Sequence, residues 1–454
     1  MRVLRHAVLA VWCATAPVIA SIAEPGEPFR QVADNVPERH EQTQTRPLPR
    51  TEVAGALERY VAKLDEVVLR EEANPWHSEH DLTYYYITTH TNVLRADRET
   101  VLLTPEQRRK SLAQVVRLAD RLVETEMSRN TCARRVRSNN ADHFPGHPVK
   151  GWGYVRSRNS KTYAQTLPHC DVKFIDSDLT VDKRGDVEVP FMRYAYNDGH
   201  AVLGLLYAEE ALRTEGIETT RQARYLATAR DVLDDWLTNH SGTMLDEGGD
   251  LEGFFYEEFH DGFAYRGQQH QRLYWAVNSN AILGLACLEM AARSDEVAYA
   301  KRAALIAKQW KERSATVVNG AYQWLYAVGL RRSDEYVEDS THAGVAVPFL
   351  AKMRSAPSSN IDGDDVAAIA RAFDVIAPPP ARTPFYWMNG ATPAGVTVQR
   401  ESLSEWGALT LPLRDNSYEQ ALRFSDAIEL ATGREGSTYY LLLRDSYRIA
   451  ALAK

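Results

Sequence analysis

Cysteine is scarce in this sequence, four residues in 454, and long apolar runs are scarcer still. Past the first twenty positions no stretch approaches the roughly 20 apolar residues that span a bilayer, which argues against membrane insertion. There is no Gly-rich phosphate loop, G-x-S-x-G elbow, H-E-x-x-H or paired C-x-x-C, so nucleotide, serine-hydrolase, zinc-protease and thiol-redox chemistry lack their usual signatures. Positive charge is also short. Lys and Arg number 53 against 61 Asp and Glu, a net charge of -8, which argues against general nucleic-acid binding.

What is present begins with a leader. Arg2 and Arg5 precede an apolar run over residues 7–20 and the small tripeptide Ser21-Ile22-Ala23, the pattern of a secretory signal peptide. Residues 1–23 are therefore expected to be removed and the protein exported, to the periplasm or beyond. Trp12 before Cys13 is too bulky for a lipidated cysteine. Of the remaining cysteines, Cys132 and Cys170 flank an irregular segment and are candidates for one disulfide, while Cys287 lies on an apolar helix and reads as packing. Residues 24–49, rich in Pro, Glu, Gln and Arg, cannot offset the entropy of ordering and are expected to form a flexible linker.

From residue 50 to 454 the chain reads as one helical domain. Leu112, Val115, Val116, Ala119, Leu122, Val123 and Met127 recur at three- and four-residue steps after Thr104-Pro105, one buried stripe on a helix. The same pattern predicts about twelve helices in paired order, over 51–72, 80–97, 105–136, 192–214, 219–239, 271–293, 295–314, 340–355, 362–376, 403–414, 417–432 and 437–453.

An internal repeat organises them. The segment Tyr194 to Leu205 lies on Tyr274 to Leu285 at an offset of 80, with Tyr, Ala, Leu, Gly and Leu coinciding. A weaker third copy starts at Glu338. In each, a polar, aromatic-rich lead-in runs into a helix with small residues, followed by a more charged helix. Small apolar inner helices alternating with amphipathic outer ones resemble the all-α (α/α)6 toroid of many carbohydrate-active enzymes, and among these the toroidal polysaccharide lyases most closely.

In such a ring the inner-helix starts converge. His200, Asn280 and His342 occupy matching positions there, with Asn197, Asp198, Asn278, Glu338 and Asp339 one turn earlier. Capping alone would explain Asp198, Asn278 and Ser340, but not two histidines at matching sites. The preceding loops carry Tyr256, Glu257, His260, Arg266, His270 and Tyr274, then Tyr322, Trp324, Tyr326, Arg331 and Arg332. Rings beside carboxylates, amides and guanidinium groups suit a sugar cleft. Residues 129–161 hold eight Lys and Arg against Asp142, with Trp152, Tyr154 and Tyr163 nearby, and so point to an acidic polysaccharide such as alginate or glucuronan.

The resemblance to toroidal lyases implies β-elimination. Asn197 with Arg331 would neutralise the uronate carboxylate, His260 or His200 would act as base, and Tyr322 as acid, with His342 completing the catalytic set. Tyr196, Tyr256, Glu257, Arg266, His270, Tyr274, Asn278, Trp324, Asp339 and Trp387 are the expected substrate contacts. The alternative is a glycoside hydrolase, inverting or retaining, drawing its two carboxylates from Asp198, Glu257, Glu338, Asp339 and Glu405. A non-catalytic glycan-binding toroid is the third reading. His200, His342 and Asp339 lack close ligand spacing, so no metal or other cofactor is expected. The partner is a polysaccharide or oligosaccharide, with no nucleic acid and no membrane insertion, and the protein is expected to be a monomer.

Overall fold

The computed structural model describes residues 51–64, 80–126, 150–152, 195–239, 253–258, 276–326, 337–357, 359–435 and 437–453, together with short strands between 136 and 192, 245 and 250, and at 272–274. The expected signal peptide and linker, Cys132 and Cys170 lie outside the described residues. The helices are α1 (Thr51–Ala62), α2 (His80–Thr100), α3 (Pro105–Thr125), α4 (Ala195–Glu215), α5 (Thr219–Asn239) and α6 (Val277–Ala291). They continue with α7 (Val297–Gln309), α8 (Ser340–Met353), α9 (Gly363–Ile376), α10 (Thr410–Arg414), α11 (Tyr418–Thr432) and α12 (Thr438–Leu452). A 3₁₀ segment, Arg400–Leu409, runs directly into α10.

Contacts between these elements close a ring. Helix α2 packs on α4, α4 on α6, α6 on α8, α8 on the 3₁₀ segment, that segment on α12, and α12 back on α2. Outside it, α3 packs on α2 and α4, α5 on α4, α7 on α6, α11 on the 3₁₀ segment and α10, and α1 on α12. This is the (α/α)6 toroid expected from the repeat, an inner ring of six elements with outer helices packed against it. The inner helices run parallel. Tyr85 of α2 meets His200 of α4 near both helix starts, while Arg95 pairs with Glu210 near both ends.

Local chemistry explains the elements. Thr104 caps α3 through a capping box with Gln107, Pro105 takes the first helical position, and the predicted stripe from Leu112 to Val123 is buried. Asp362 and Asp365 form the same device at α9. Inner helices α4 and α6 are buried on nearly all faces, as a helix enclosed by others must be. The repeat glycines serve this enclosure: a Cβ on Gly204 would lie 2.9 Å from Leu122 Cδ1, and one on Gly284 would lie 2.9 Å from Phe349 Cε2.

Several predicted boundaries move. Helix α3 stops at Thr125, short of 136, because Glu126 turns to extended backbone (ψ 131) and its carboxylate accepts the Gly151 N–H at 2.8 Å. Helix α6 begins at Val277, since Arg272–Tyr274 pairs as a strand with Tyr256–Glu258. After α7 a π turn, Trp310–Ser314, leads into the hairpin Ala315–Val318 and Ala321–Trp324. Its Asn319-Gly320 turn has positive φ at both residues, 52° and 79°, the type I′ geometry. Cys287 is buried on α6, and burial pushes its thiol up to about 12. No helix of the described residues is long and apolar enough to cross a membrane.

Candidate active site

The parallel inner helices gather their starts at one end of the ring, and two walls of side chains face each other there. The first wall is the lead-in to α8. Asp339 is the N-cap, accepting from the N–H groups of Thr341 at 3.0 Å and His342 at 2.9 Å. Its other oxygen contacts His342 Nδ1 at 2.5 Å. The strand before it is fastened on both sides: Glu338 N donates to Trp324 O at 2.8 Å, Met388 N to Glu338 O at 3.1 Å and Ser340 N to Tyr386 O at 2.7 Å. Such fastening fixes the positions of Glu338 and Asp339 without using their carboxylates, apart from the cap.

Glu338 is fully buried, and neither of its carboxyl oxygens has a hydrogen-bond partner. Burial, followed by the neighbouring Asp339 charge, pushes its carboxyl well above the usual range. Among the described residues no Lys or Arg pairs with Glu338 or Asp339. Aromatic rings border them. Tyr326 stands edge-on to His342 at 6.0 Å, Tyr386 to Trp387 at 4.6 Å, and Tyr386 is raised above the usual tyrosine range by burial and then by Asp339 and Glu338.

The second wall joins α2, α4, α12 and the 3₁₀ segment. Tyr85 donates to Glu405 Oε1 at 2.5 Å and sits 3.3 Å from the Tyr196 hydroxyl. Tyr85 also stacks on Tyr439 at 5.6 Å and meets Tyr440 at 5.2 Å. The walls are close: a Cβ on Gly344, one turn into α8, would lie 3.6 Å from Glu405 Cβ and 3.1 Å from the Trp406 ring. A larger residue at Gly344 would press on the Trp406 ring.

Of the residues expected from sequence, Asp339, His342 and Trp387 come together on the first wall, and Tyr196, Asn197 and His200 belong to the second. His200 is enclosed by Tyr84, Tyr85 and Tyr196 at 4.2 to 5.5 Å, and burial lowers it to about 3. Neither of its ring nitrogens is bonded, nor is Asn197 Nδ2. Asn278 accepts from Ser279 N at 2.8 Å, and Asn280 clasps the backbone of Phe255 at 2.7 and 3.4 Å. Asp198 is a strut, accepting from Trp152 N at 2.6 Å and Trp236 Nε1 at 2.7 Å. Trp152 is buried, its indole donating to Leu122 O at 2.9 Å, so it adds no stacking surface. Trp324 is likewise buried, against Trp406 at 5.9 Å. His260, Arg266, His270 and Arg331, and the side chains of Tyr256, Glu257 and Tyr274, lie outside the described residues.

Tyr322 is elsewhere. It is buried in the hairpin and donates to Asp365 at 2.6 Å, a carboxylate that Lys311 also holds at 2.6 Å. Burial and then Asp365 push the Tyr322 hydroxyl above the usual tyrosine range, the wrong direction for a proton donor. Sequence reasoning missed Tyr85, Tyr386, Tyr439 and Tyr440. The Tyr84-Tyr85-Tyr86 and Tyr439-Tyr440 runs near helix starts were a visible signal, but they fall outside the repeat.

No family model matches the chain, and no curated protein matches it. Among solved structures it is similar to a family 76 glycoside hydrolase from a bovine Bacteroides thetaiotaomicron strain, at 8% identity over 89% of this chain and 78% of that one, TM-score 0.49. It is also similar to the GH76A α-1,6-mannanase of Salegentibacter sp. HEL1_6, at 12% identity over 78% of this chain and 96% of that one, TM-score 0.36. An inactive variant of that mannanase, with two aspartates replaced, is in complex with α-1,6-mannotriose. These neighbours are glycoside hydrolases where the sequence led to a lyase, and the lyase expectation is not carried further. Among the described residues the expected acid Tyr322 serves Asp365, and His200, one of the two expected bases, is sealed among tyrosines; the other, His260, lies outside them. The expected acidic substrate finds no support in the neighbours either, and most of the cationic segment behind it lies outside the described residues.

Proposed function

We propose that this protein is a glycoside hydrolase whose substrate, a neutral polysaccharide or oligosaccharide, lies across the end of the ring where the inner helices begin. The observation that carries the reading is that Asp339 and Glu405 stand on adjacent inner elements, tied by Ser402 Oγ to Thr341 Oγ1 at 2.9 Å and by Trp406 Nε1 to Ser340 O at 3.2 Å, with Tyr326, Tyr386 and Trp387 beside the first and Tyr85, Tyr196, Tyr439 and Tyr440 beside the second. Hydrolysis needs one carboxylic acid to protonate the leaving oxygen and one carboxylate to activate water or attack the anomeric carbon. Sugar faces stack on such rings. Among the described residues Glu338 and Asp339 have no Lys or Arg partner, so a uronate would need a bound cation to offset their charge, and a neutral glycan would not. The leader-like N terminus supports action outside the cytoplasm.

In this reading Asp339, positioned by two backbone N–H groups and by His342, is the base or nucleophile. Glu405, bonded to Tyr85, is the acid. Incubation with a panel of neutral glycans that includes α-1,6-mannan should release reducing ends, and the anomer first formed, read by proton NMR, would distinguish inversion from retention. Binding to a glycan without release of reducing ends would replace hydrolysis by a binding role.

A further inference from the structure

One set of donors on the first wall is more tightly grouped than hydrolysis requires. Glu338, Asp339 and His342 each present a ligand atom within 4.8 Å of the others. From sequence, His200 stood beside His342 and Asp339 as the conceivable metal group; the structure puts Glu338 in its place and seals His200 among tyrosines. Glu338 is the independent sign of a missing partner. Its side chain is fully buried, and both oxygens lack a hydrogen bond, whereas buried polar groups are nearly always satisfied.

We propose that Glu338, Asp339 and His342 bind a divalent transition-metal cation. Donors about 2.0–2.2 Å from one ion stand about 3–4 Å from each other, so small side-chain rotations close the observed group. The backbone carrying two of the three is already fixed by Trp324, Tyr386 and Met388, which keeps the ordering cost low. Two carboxylates and an imidazole suit Zn²⁺ or Mn²⁺, while Ca²⁺ prefers six to eight oxygens. The cation would also supply the positive charge that no described Lys or Arg provides here. His342 is half exposed, which leaves coordination positions open toward Tyr326 and Tyr386 for water or sugar hydroxyls. That last role rests on the glycoside-hydrolase reading; cation binding does not.

The test is calorimetric titration of Zn²⁺, and separately of Mn²⁺, into the chelator-treated full chain. One equivalent of at least one ion should bind at micromolar affinity or tighter, with Glu338→Gln and His342→Ala each weakening it tenfold or more. Because His342 is half exposed, His342→Ala keeps the fold even where Glu338→Gln does not. The same ion should raise Tm in the wild type and not in His342→Ala. Absence of binding by both ions, or equal binding by wild type and His342→Ala, would overturn the site. Binding without glycan cleavage would uphold the site and overturn only the hydrolase reading.

Discussion

The two ends of the ring handle buried carboxylates in opposite ways. Where the inner helices end, Arg293 reaches Glu209, Glu210 and Glu289 at 2.8 to 2.9 Å, Arg95 pairs with Glu210 at 2.6 Å, and Lys352 with Glu289 at 3.1 Å. Burial alone would raise Glu289 and Glu210, but the cations outweigh it: Glu289 lies below its usual range and Glu210 falls to about 2. Where the inner helices begin, Glu338 is just as buried, has no cation partner among the described residues, and moves the other way. Two glutamates in one ring thus differ through partners and not through depth. The paired end ties helices together, and the end unpaired with any described cation leaves Glu338 in a state that needs a ligand, a proton or a substrate.

That contrast can be broken from either side. The largest effect is expected at the unpaired end: Asp339→Asn retains a competent cap and Glu405→Gln retains an acceptor for Tyr85, yet each should lower kcat/KM by about 10²–10⁴-fold with Tm nearly unchanged. At the paired end Arg293→Ala leaves three carboxylates short of a partner and should destabilise by about 3–5 kcal/mol, read by urea denaturation, while activity per folded molecule persists. Tyr322→Phe removes one bond to a buried carboxylate and should cost about 1–3 kcal/mol. It should leave turnover intact, and loss of turnover at full stability would return Tyr322 to the site.

The smallest effect is a pH slope. His90 is buried, its Nδ1 bonded to Tyr60 at 2.8 Å and Ser111 at 3.2 Å, and burial, then Arg117, lowers it to about 3. Between about pH 6.5 and 3 the unfolded chain takes up a proton that the folded chain refuses, so stability must fall as pH falls through that window, by about 1.4 kcal/mol per unit. His200 acts in the same sense. Denaturation midpoints at pH 7, 6 and 5 should show the decline, and His90→Gln should flatten part of it.

Much of the fold was legible because ring closure leaves local traces. The stripe on α3, its Thr104 cap and the spacing of Gly204 and Gly284 all follow from one helix packing against others, and periodicity reports that directly. Asn319-Gly320 between Val318 and Ala321 is an equally local hairpin signal, in a stretch that helical periodicity does not reach. The site was legible only in part. Asp339 and His342 were placed at an inner-helix start by the repeat, but Glu405 pairs with Tyr85 across 320 positions, and no periodicity encodes that. Tyr322 misled because an aromatic residue in a loop-like segment reads the same whether it faces a cleft or, as here, Asp365.

The central claim is that the unpaired end cleaves glycosidic bonds with carboxylates. Its most direct test is the release of reducing ends from the neutral-glycan panel by the wild type and by Asp339→Asn at matched folded concentration. Release by the wild type that falls a hundredfold or more in Asp339→Asn is the predicted result. Equal release by both, or none by the wild type from any glycan that it binds, would contradict it.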